Sequence, residues 1–191
     1  NFFLYKMRIG HQSWKNDIKR VEAAFDIFKD NNLMIDAIMG TIRPTWTEKE
    51  AKEKINELET YNIRWIEEPL FPDNIMGLSK LSKSVNVPLA AGEAYSGKTE
   101  IETLINLKAL SFIQIDATHT GSYDLCYYLS KKAKSNNIQS VTHVWGSNLA
   151  LLANTHMALA NENISLIEIP SIELELNKYL NDEGAIIKKG K

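Results

Sequence analysis

The stretch IRWIEEPLFPDNIMGLSKLSKSVNVPLAA, residues 63–91, carries a strand-like run, a helix-like run and a second strand-like run in that order. Residues 63–67 and 87–91 are short and largely apolar, as buried strands are, and residues 74–83 between them are helix-like. This order is typical of a βαβ unit, in which the two strands are parallel. We therefore expect an α/β fold.

The same unit repeats along the whole chain. Strands are predicted at residues 2–9, 33–36, 63–67, 87–91, 112–115, 140–142 and 164–167, with helices between them. No GxGxxG follows the first strand, so seven sequential units fit a (β/α)₈ TIM-type barrel better than a doubly wound sheet. A barrel usually needs about 250 residues. The 191 residues are therefore interpreted as one domain, 1–191, of a barrel whose first strand is missing.

Composition excludes several classes of protein. With 44% hydrophobic residues in 191, the chain can bury a core, and 22 basic against 24 acidic residues leave no excess charge for nucleic acid. We see no apolar run long enough to span a membrane. Cys126 is the single cysteine, which excludes an internal disulfide and cysteine-type zinc sites. The cytoplasm is the default compartment.

Ionisable residues follow the predicted strands, at the end where barrel active sites lie. They are Lys6, Arg8, Asp36, Glu67, Glu93, Asp116, His143 and Glu168. Three consecutive strands end in Asp36, Glu67 and Glu93, and converging carboxylates repel unless a hard cation lies between them. Oxygen-only ligation favours Mg²⁺ as the cofactor.

A base and an anion-binding pair accompany these carboxylates. His143 is the natural base, and Asp116 on the preceding strand can fix its tautomer. Lys6 and Arg8 are two residues apart on a strand, on one face, where they can hold a substrate anion or move a proton. Taken singly, each residue has a simpler explanation as a helix cap or a surface ion pair. Their joint placement at every strand end favours an active site.

Five motifs resemble a known family. They are YKMRIG, WIEEPL, AAGEAYSG, QIDATHTG and THVWGSNLALLAN, in an order and spacing similar to the barrel domain of the enolase superfamily, mandelate racemase subgroup, from about residue 4 to about residue 180. The resemblance implies that Asp36, Glu67 and Glu93 bind metal, that His143 and Asp116 form the catalytic dyad, and that Glu168 is the acid of the last strand. It also implies that the family's first barrel strand and α+β capping domain are absent from this chain.

Two departures from the family pattern bear on the reaction. The family commonly has Lys-x-Lys where this chain has Lys6-Met7-Arg8, and an arginine, protonated up to about pH 12, is a poor proton acceptor. The family usually has Asp-x-Asn where this chain has Asp36-Ala37-Ile38. One polar contact to substrate is therefore lost or supplied from elsewhere. His119 is a candidate for that substrate contact.

The resemblance implies a lyase that dehydrates a sugar acid to a 2-keto-3-deoxy acid, with Mg²⁺ as cofactor. His143 would act as base and then as acid, while Lys6 and Arg8 bind the substrate carboxylate and Glu168 donates a hydrogen bond to it. The alternatives are a racemase or epimerase that uses Lys6 or an unexpected group as second base, a catalytically silent binding or scaffold relative, and a Schiff-base lyase built on Lys6. The resemblance further implies a homo-oligomer with a small-molecule partner and neither nucleic acid nor membrane.

Overall fold

The computed structural model describes residues 2–29, 31–172 and 174–177. The end of the resemblance near residue 180 and both ends of the predicted domain lie outside these residues. The chain divides into two compact units, residues 1–91 with 109–111 and, among the described residues, 92–108 with 112–177. The single domain 1–191 stays a prediction.

The first unit contains four parallel strands in chain order. They are β1 (Tyr5–Arg8), β2 (Leu33–Asp36), β3 (Ile66–Glu67) and β4 (Leu89–Ala91), and between them lie the helices α1 (Trp14–Phe28), α2 (Glu48–Leu58) with a 3₁₀ turn at Glu59–Tyr61, and α3 (Ile75–Ser82). This is the predicted βα repeat. The strand predicted at 63–67 is confined to its last two residues.

One face of α2 contributes to the core of the first unit. Ala51, Ile55 and Leu58 recur at helical spacing on one face of α2 and are fully buried, as the sequence predicts. Thr47 begins this helix with a capping box, because its hydroxyl accepts from the Glu50 N–H at 3.2 Å and the Glu50 carboxylate accepts from the Thr47 N–H at 2.8 Å.

The second unit contains β5 (Phe112–Ile115) and β6 (Gln139–Thr142), which are parallel neighbours, with α4 (Lys98–Asn106), α5 (Tyr123–Ser135) and α6 (Asn148–Leu159). The sequence also predicts a helix over residues 123–135, and α5 has these same bounds. In the part of the chain that the structure describes, no helix combines the length and the apolar character that crossing a membrane requires.

The seventh predicted strand, at 164–167, is an extended segment rather than a regular strand. A single parallel bridge joins Ile164 to Ser140, and the Thr142 N–H donates to the Leu166 carbonyl at 3.2 Å. The segment therefore follows β6 without forming a continuous ladder. This contact is nevertheless enough to bring Glu168 past the end of β6, since the Glu168 N–H donates to the Thr142 hydroxyl at 2.9 Å.

Gly92, immediately before Glu93, lies against the β5 backbone. A Cβ at this position would be 2.2 Å from the Gln114 carbonyl oxygen, and the φ of +152° also disfavours a side chain. We expect Gly92→Ala to destabilise the protein by about 3 kcal/mol or more, measured by urea unfolding. Gly97→Ala is the comparison, because its Cβ would meet open space and only its φ of +78° is strained. Equal losses in the two variants would contradict this explanation.

Candidate active site

The parallel register of the first unit aligns three predicted site residues. Arg8 is paired with Asp36 across β1 and β2, and Asp36 is paired with Glu67 across β2 and β3. Residues paired in adjacent strands present their side chains on the same face. Asp36 and Glu67 are also buried, with relative exposures of 1% and 0%. The strand ends therefore place two buried carboxylates side by side.

Both cations predicted for the site contact these carboxylates. Lys6 Nζ lies 2.7 Å from Glu67 Oε1, and Arg8 Nε lies 3.2 Å from Asp36 Oδ2. The Lys6 side chain is 16% exposed and its partner is fully buried, so this is not a surface salt bridge. Breaking a buried pair costs far more than breaking an exposed one, because it leaves a desolvated charge. The alternative explanation, that Lys6 forms only a surface ion pair, is therefore wrong.

Asp36 titrates well above an ordinary aspartate. Burial is the main cause and the neighbouring Glu67 carboxylate the next, and together they raise the pKa of Asp36 from 3.8 to about 6, against the opposing effects of Lys6, Arg8 and the Ile38 N–H. Two carboxylates in one desolvated site oppose each other's ionisation. Burial and the Glu67 charge thus outweigh the two side-chain cations in setting the pKa of Asp36.

The position where the family pattern has an asparagine is used differently here. The Ile38 N–H donates to Asp36 Oδ1 at 2.8 Å, and the Ile38 side chain is buried, with φ of +53°. The backbone of this residue therefore fixes the Asp36 carboxylate, while its side chain packs in the core and offers no polar group. Trp65 Nε1 donates to Glu67 Oε2 at 3.3 Å and orients that carboxylate in a similar way.

The second unit contains the predicted dyad. His143 Nδ1 lies 2.9 Å from Asp116 Oδ2, within the predicted hydrogen-bonding range. His143 Nε2 lies 3.4 Å from Glu93 Oε2. The Asp116 carboxylate at Nδ1 is closer than the Glu93 carboxylate at Nε2 and favours the tautomer with its proton on Nδ1, which leaves Nε2 as the basic atom. The basic atom thus lies beside the third predicted metal ligand.

Asp116 is held ionised by several donors. Burial opposes its ionisation, but hydrogen bonds from His143, Asn154 and Thr118 outweigh that effect and lower the pKa of Asp116 to about 2. Both the N–H and the hydroxyl of Thr118 donate to Asp116 Oδ1, at 2.8 and 2.7 Å. A permanently ionised Asp116 can stabilise an imidazolium without taking its proton.

This lowered pKa makes the stability contribution of Asp116 depend on pH. The contribution is complete above the ordinary pKa of 3.8 and is lost as pH falls through about 2. We expect Asp116→Asn to be less stable than the wild type by about 1–2 kcal/mol at pH 6, with about half of that difference gone at pH 3. Urea unfolding across this range measures it. A difference that is constant or grows toward pH 3 would contradict the assignment, and the exposed Asp124→Asn is the surface control.

Glu168 and His119 occupy different surroundings. Glu168 Oε2 accepts the Val144 N–H at 3.1 Å, so this carboxylate is attached to the residue after His143. The His119 side chain is exposed, and its backbone N–H donates to the Asp116 carbonyl at 3.1 Å. The Glu168 carboxylate therefore contacts the residue that follows His143 of the dyad. A substrate contact by His119 stays a prediction.

The predicted metal ligands come from both units, Asp36 and Glu67 from the first and Glu93 from the second. Among the described residues of either unit taken alone, no three His, Cys, Asp or Glu side chains are grouped to hold a metal. The donor chemistry of Asp36 and Glu67 fits Mg²⁺, because both are buried carboxylates and this hard cation prefers oxygen ligands.

Three residues that support the site were not singled out from the sequence. Trp65 contacts Glu67, and Thr118 and Asn154 contact Asp116. The pattern Asp116-x-Thr118 is a recognisable signal for a local turn in which a carboxylate accepts a nearby N–H. Asn154 also has a signal, since it is a polar residue inside the apolar run LALLAN.

Comparison with known families shows which family the chain belongs to. Residues 2–191 match the model of the family described as enolase C-terminal domain-like. The chain belongs to this family. The predicted resemblance to the enolase superfamily, in its mandelate racemase subgroup, is thereby confirmed, and with it the predicted α/β fold of the TIM-barrel class.

Curated relatives extend well beyond the part of the family that this chain contains. Mitochondrial enolase superfamily member 1 of Xenopus laevis is 32% identical over 159 residues, which are 81% of this chain and 34% of the relative. Arabinonate dehydratase of Saccharolobus solfataricus is 26% identical over 174 residues, which are 91% of this chain and 44% of the relative. The chain thus spans less than half the length of either relative.

Solved structures share the fold. A racemase from Streptomyces coelicolor A3(2), solved with bound magnesium, superposes with a TM-score of 0.77 at 24% identity, over 88% of this chain and 44% of the other. At this identity the similarity establishes the fold alone. The relatives carry names of different reactions, a dehydratase and a racemase, so family membership by itself leaves the reaction open.

Proposed function

We propose that this enolase-family chain takes part in Mg²⁺-dependent dehydration of a sugar acid to its 2-keto-3-deoxy product. The observation that carries the proposal is the dyad, in which Asp116 fixes His143 Nδ1 and leaves Nε2 beside Glu93. That arrangement is suited to removing a proton from the carbon next to a carboxylate. The arabinonate dehydratase relative supports the same class of reaction.

Asp36, Glu67 and Glu93 are the proposed magnesium ligands. When bound, Mg²⁺ would act as a Lewis acid that makes the α-proton of a coordinated carboxylate more acidic. The raised pKa of Asp36 supports the assignment, because a site that disfavours its own second negative charge gains from an added cation. The magnesium in the Streptomyces racemase structure supports the choice of ion.

His143 performs both proton transfers in the proposed reaction. Nε2 removes the α-proton, and the electron pair of the broken C–H bond expels the 3-hydroxyl group. The imidazolium, stabilised by ionised Asp116, gives its proton to that departing oxygen, so that water leaves. The resulting enol becomes the 2-keto-3-deoxy acid.

Lys6 and Arg8 are proposed to bind the negative charge of the substrate. Both cations face carboxylates of the site, and neither is suited to carry protons, Arg8 because of its high basicity and Lys6 because its ammonium is paired with Glu67. Glu168, in its protonated form, is proposed to donate a hydrogen bond to the substrate carboxylate. With a single good base, elimination is favoured over inversion at the α-carbon.

A racemase or epimerase is the second candidate. It is favoured by one observation, that Lys6 places an amine among the site carboxylates, at 2.7 Å from Glu67 Oε1. For inversion this amine would have to lose its proton and serve as the second base. The charged partner of Lys6 opposes that loss.

The proposal is tested by incubating the protein with Mg²⁺ and a library of acid sugars and measuring formation of 2-keto-3-deoxy acids. Turnover that depends on Mg²⁺ and disappears on chelation supports the proposal. Absence of any keto acid across monoacid and diacid sugars would contradict it. We also propose a cytoplasmic location and a homo-oligomer, which size-exclusion chromatography with light scattering would test for the assembly.

A further inference from the structure

The two carboxylate oxygens of Asp116 have separate partners. Oδ2 faces His143 Nδ1 at 2.9 Å, whereas Oδ1 accepts from Thr118 and from the side chain of Asn154, whose Nδ2 lies at 3.0 Å. Thr118 is only two residues along the chain and is exposed, so it belongs to the same local turn as Asp116. Asn154 comes from α6, 38 residues away.

Burial and hydrogen bonds fix the side chain of Asn154 in one orientation. Its side chain is fully buried, Nδ2 also donates to the Ala150 carbonyl at 3.1 Å, and Oδ1 accepts the Ala117 N–H at 2.9 Å. A flipped amide would oppose its NH₂ group to the Ala117 N–H and its oxygen to two acceptors. The network therefore defines the amide orientation.

We propose that Asn154 is a positioning residue, which holds the Asp116 carboxylate through Nδ2 and the neighbouring Ala117 N–H through Oδ1, and thereby sets the orientation and tautomer of His143. The catalytic use of this tautomer rests on the proposed function. The neutral amide suits the role, because it donates to Asp116 without adding a charge beside the dyad. A carboxylate free to rotate would share its oxygens between His143 and other donors, and the proton would then not be confined to Nδ1.

The test reads the tautomer of His143 directly. Imidazole ¹⁵N signals of the whole chain are recorded at a pH where the ring is neutral, with the His143 signals assigned from the His143→Gln spectrum. We expect wild-type protein to hold the proton on Nδ1, and Asn154→Ala to lower the ratio of the Nδ1–H to the Nε2–H tautomer about tenfold, as loss of one charge-assisted hydrogen bond predicts.

Two further variants separate positioning from general damage. Asn154→Asp keeps the acceptor for Ala117 but loses the donors to Asp116 and to the Ala150 carbonyl and adds a negative charge beside Asp116, so it is expected to lower the ratio as well, and it serves if the alanine variant does not fold. Asn163→Ala is the matched control, because Asn163 makes three hydrogen bonds to Ser130, Ile138 and Ser140 in the same unit, away from Asp116. The control is expected to keep the wild-type ratio.

An unchanged ratio in both Asn154 variants, or an equal fall in Asn163→Ala, would overturn the proposal. Kinetics on a turned-over acid sugar add a second readout, for which we expect Asn154→Ala to lower kcat about 10–100-fold with KM nearly unchanged. Because the tautomer is observed without substrate, absence of turnover in the wild type would count against the proposed function and leave the positioning role tested by the spectra.

Discussion

Replacement of His143 with Asn will lower kcat by at least about 10³-fold, because the variant loses the group that both removes the α-proton and returns it to the leaving hydroxyl. Asparagine retains a hydrogen-bonding side chain of moderate size beside Asp116 but has no basic nitrogen. Mg²⁺ binding, measured by calorimetry, should remain close to that of the wild type, since His143 is not among the proposed ligands. The expected result is therefore a protein that binds metal without catalysing the reaction.

His156→Asn is the matched control for this experiment. His156 is an exposed histidine of α6 in the same unit, so the same chemical change is made away from the dyad. We expect its kcat to stay within about twofold of the wild type, as surface substitutions usually have small effects. Near wild-type kcat in His143→Asn would remove this residue from the mechanism.

Replacement of Glu67 with Gln will weaken Mg²⁺ binding by about 100-fold or more. Glu67 is fully buried, is paired in register with Asp36 and raises the pKa of that residue, so it supplies half of the negative charge at this position of the first unit. A neutral amide keeps the shape of the side chain but is a much weaker ligand for a hard cation. Calorimetric titration with MgCl₂ measures the change, and circular dichroism confirms that the variant is folded.

The adjacent Glu68→Gln is the control for the metal experiment. Glu68 is also a buried glutamate, 3% exposed, and it follows Glu67 directly in the motif WIEEPL. We expect this variant to bind Mg²⁺ within about threefold of the wild type. Equal weakening in the two variants would show that the effect is loss of general negative charge rather than loss of a ligand at Glu67.

Hydrophobic periodicity predicted the repeating architecture because the apolar residues of each βα unit are the ones that become buried. The apolar face of α2 and the continuous apolar run of β2 correspond directly to buried residues. Strand lengths were less predictable. The regular strand β3 contains only Ile66 and Glu67, although the Arg64 N–H donates to the Leu33 carbonyl and the Trp65 carbonyl accepts from the Ile35 N–H just before it. Residues 164–167 similarly have the composition of a strand but share only one bridge.

The candidate site was predictable where side chains sit at strand ends, and less so where they come from helices. The alignment of Asp36 with Glu67 follows from parallel register, which the spacing of the units already implies. The contact between Asn154 and Asp116 depends on how α6 packs on the second unit, and one sequence contains no direct record of that packing. The burial of the Ile38 side chain, with its N–H turned to Asp36, likewise depends on a local backbone conformation with positive φ.

In the proposed reaction, one base on one face of the substrate drives elimination. Reaction in deuterated water distinguishes this mechanism from a two-base racemisation. An acid sugar that is turned over is incubated with the protein and Mg²⁺ in D₂O, and product and residual substrate are analysed by NMR. The expected product is a 2-keto-3-deoxy acid, with any deuterium in the residual substrate at the α-carbon and with configuration retained. Appearance of the inverted α-epimer at a rate comparable to turnover would contradict the account and assign the chain to a racemase or epimerase.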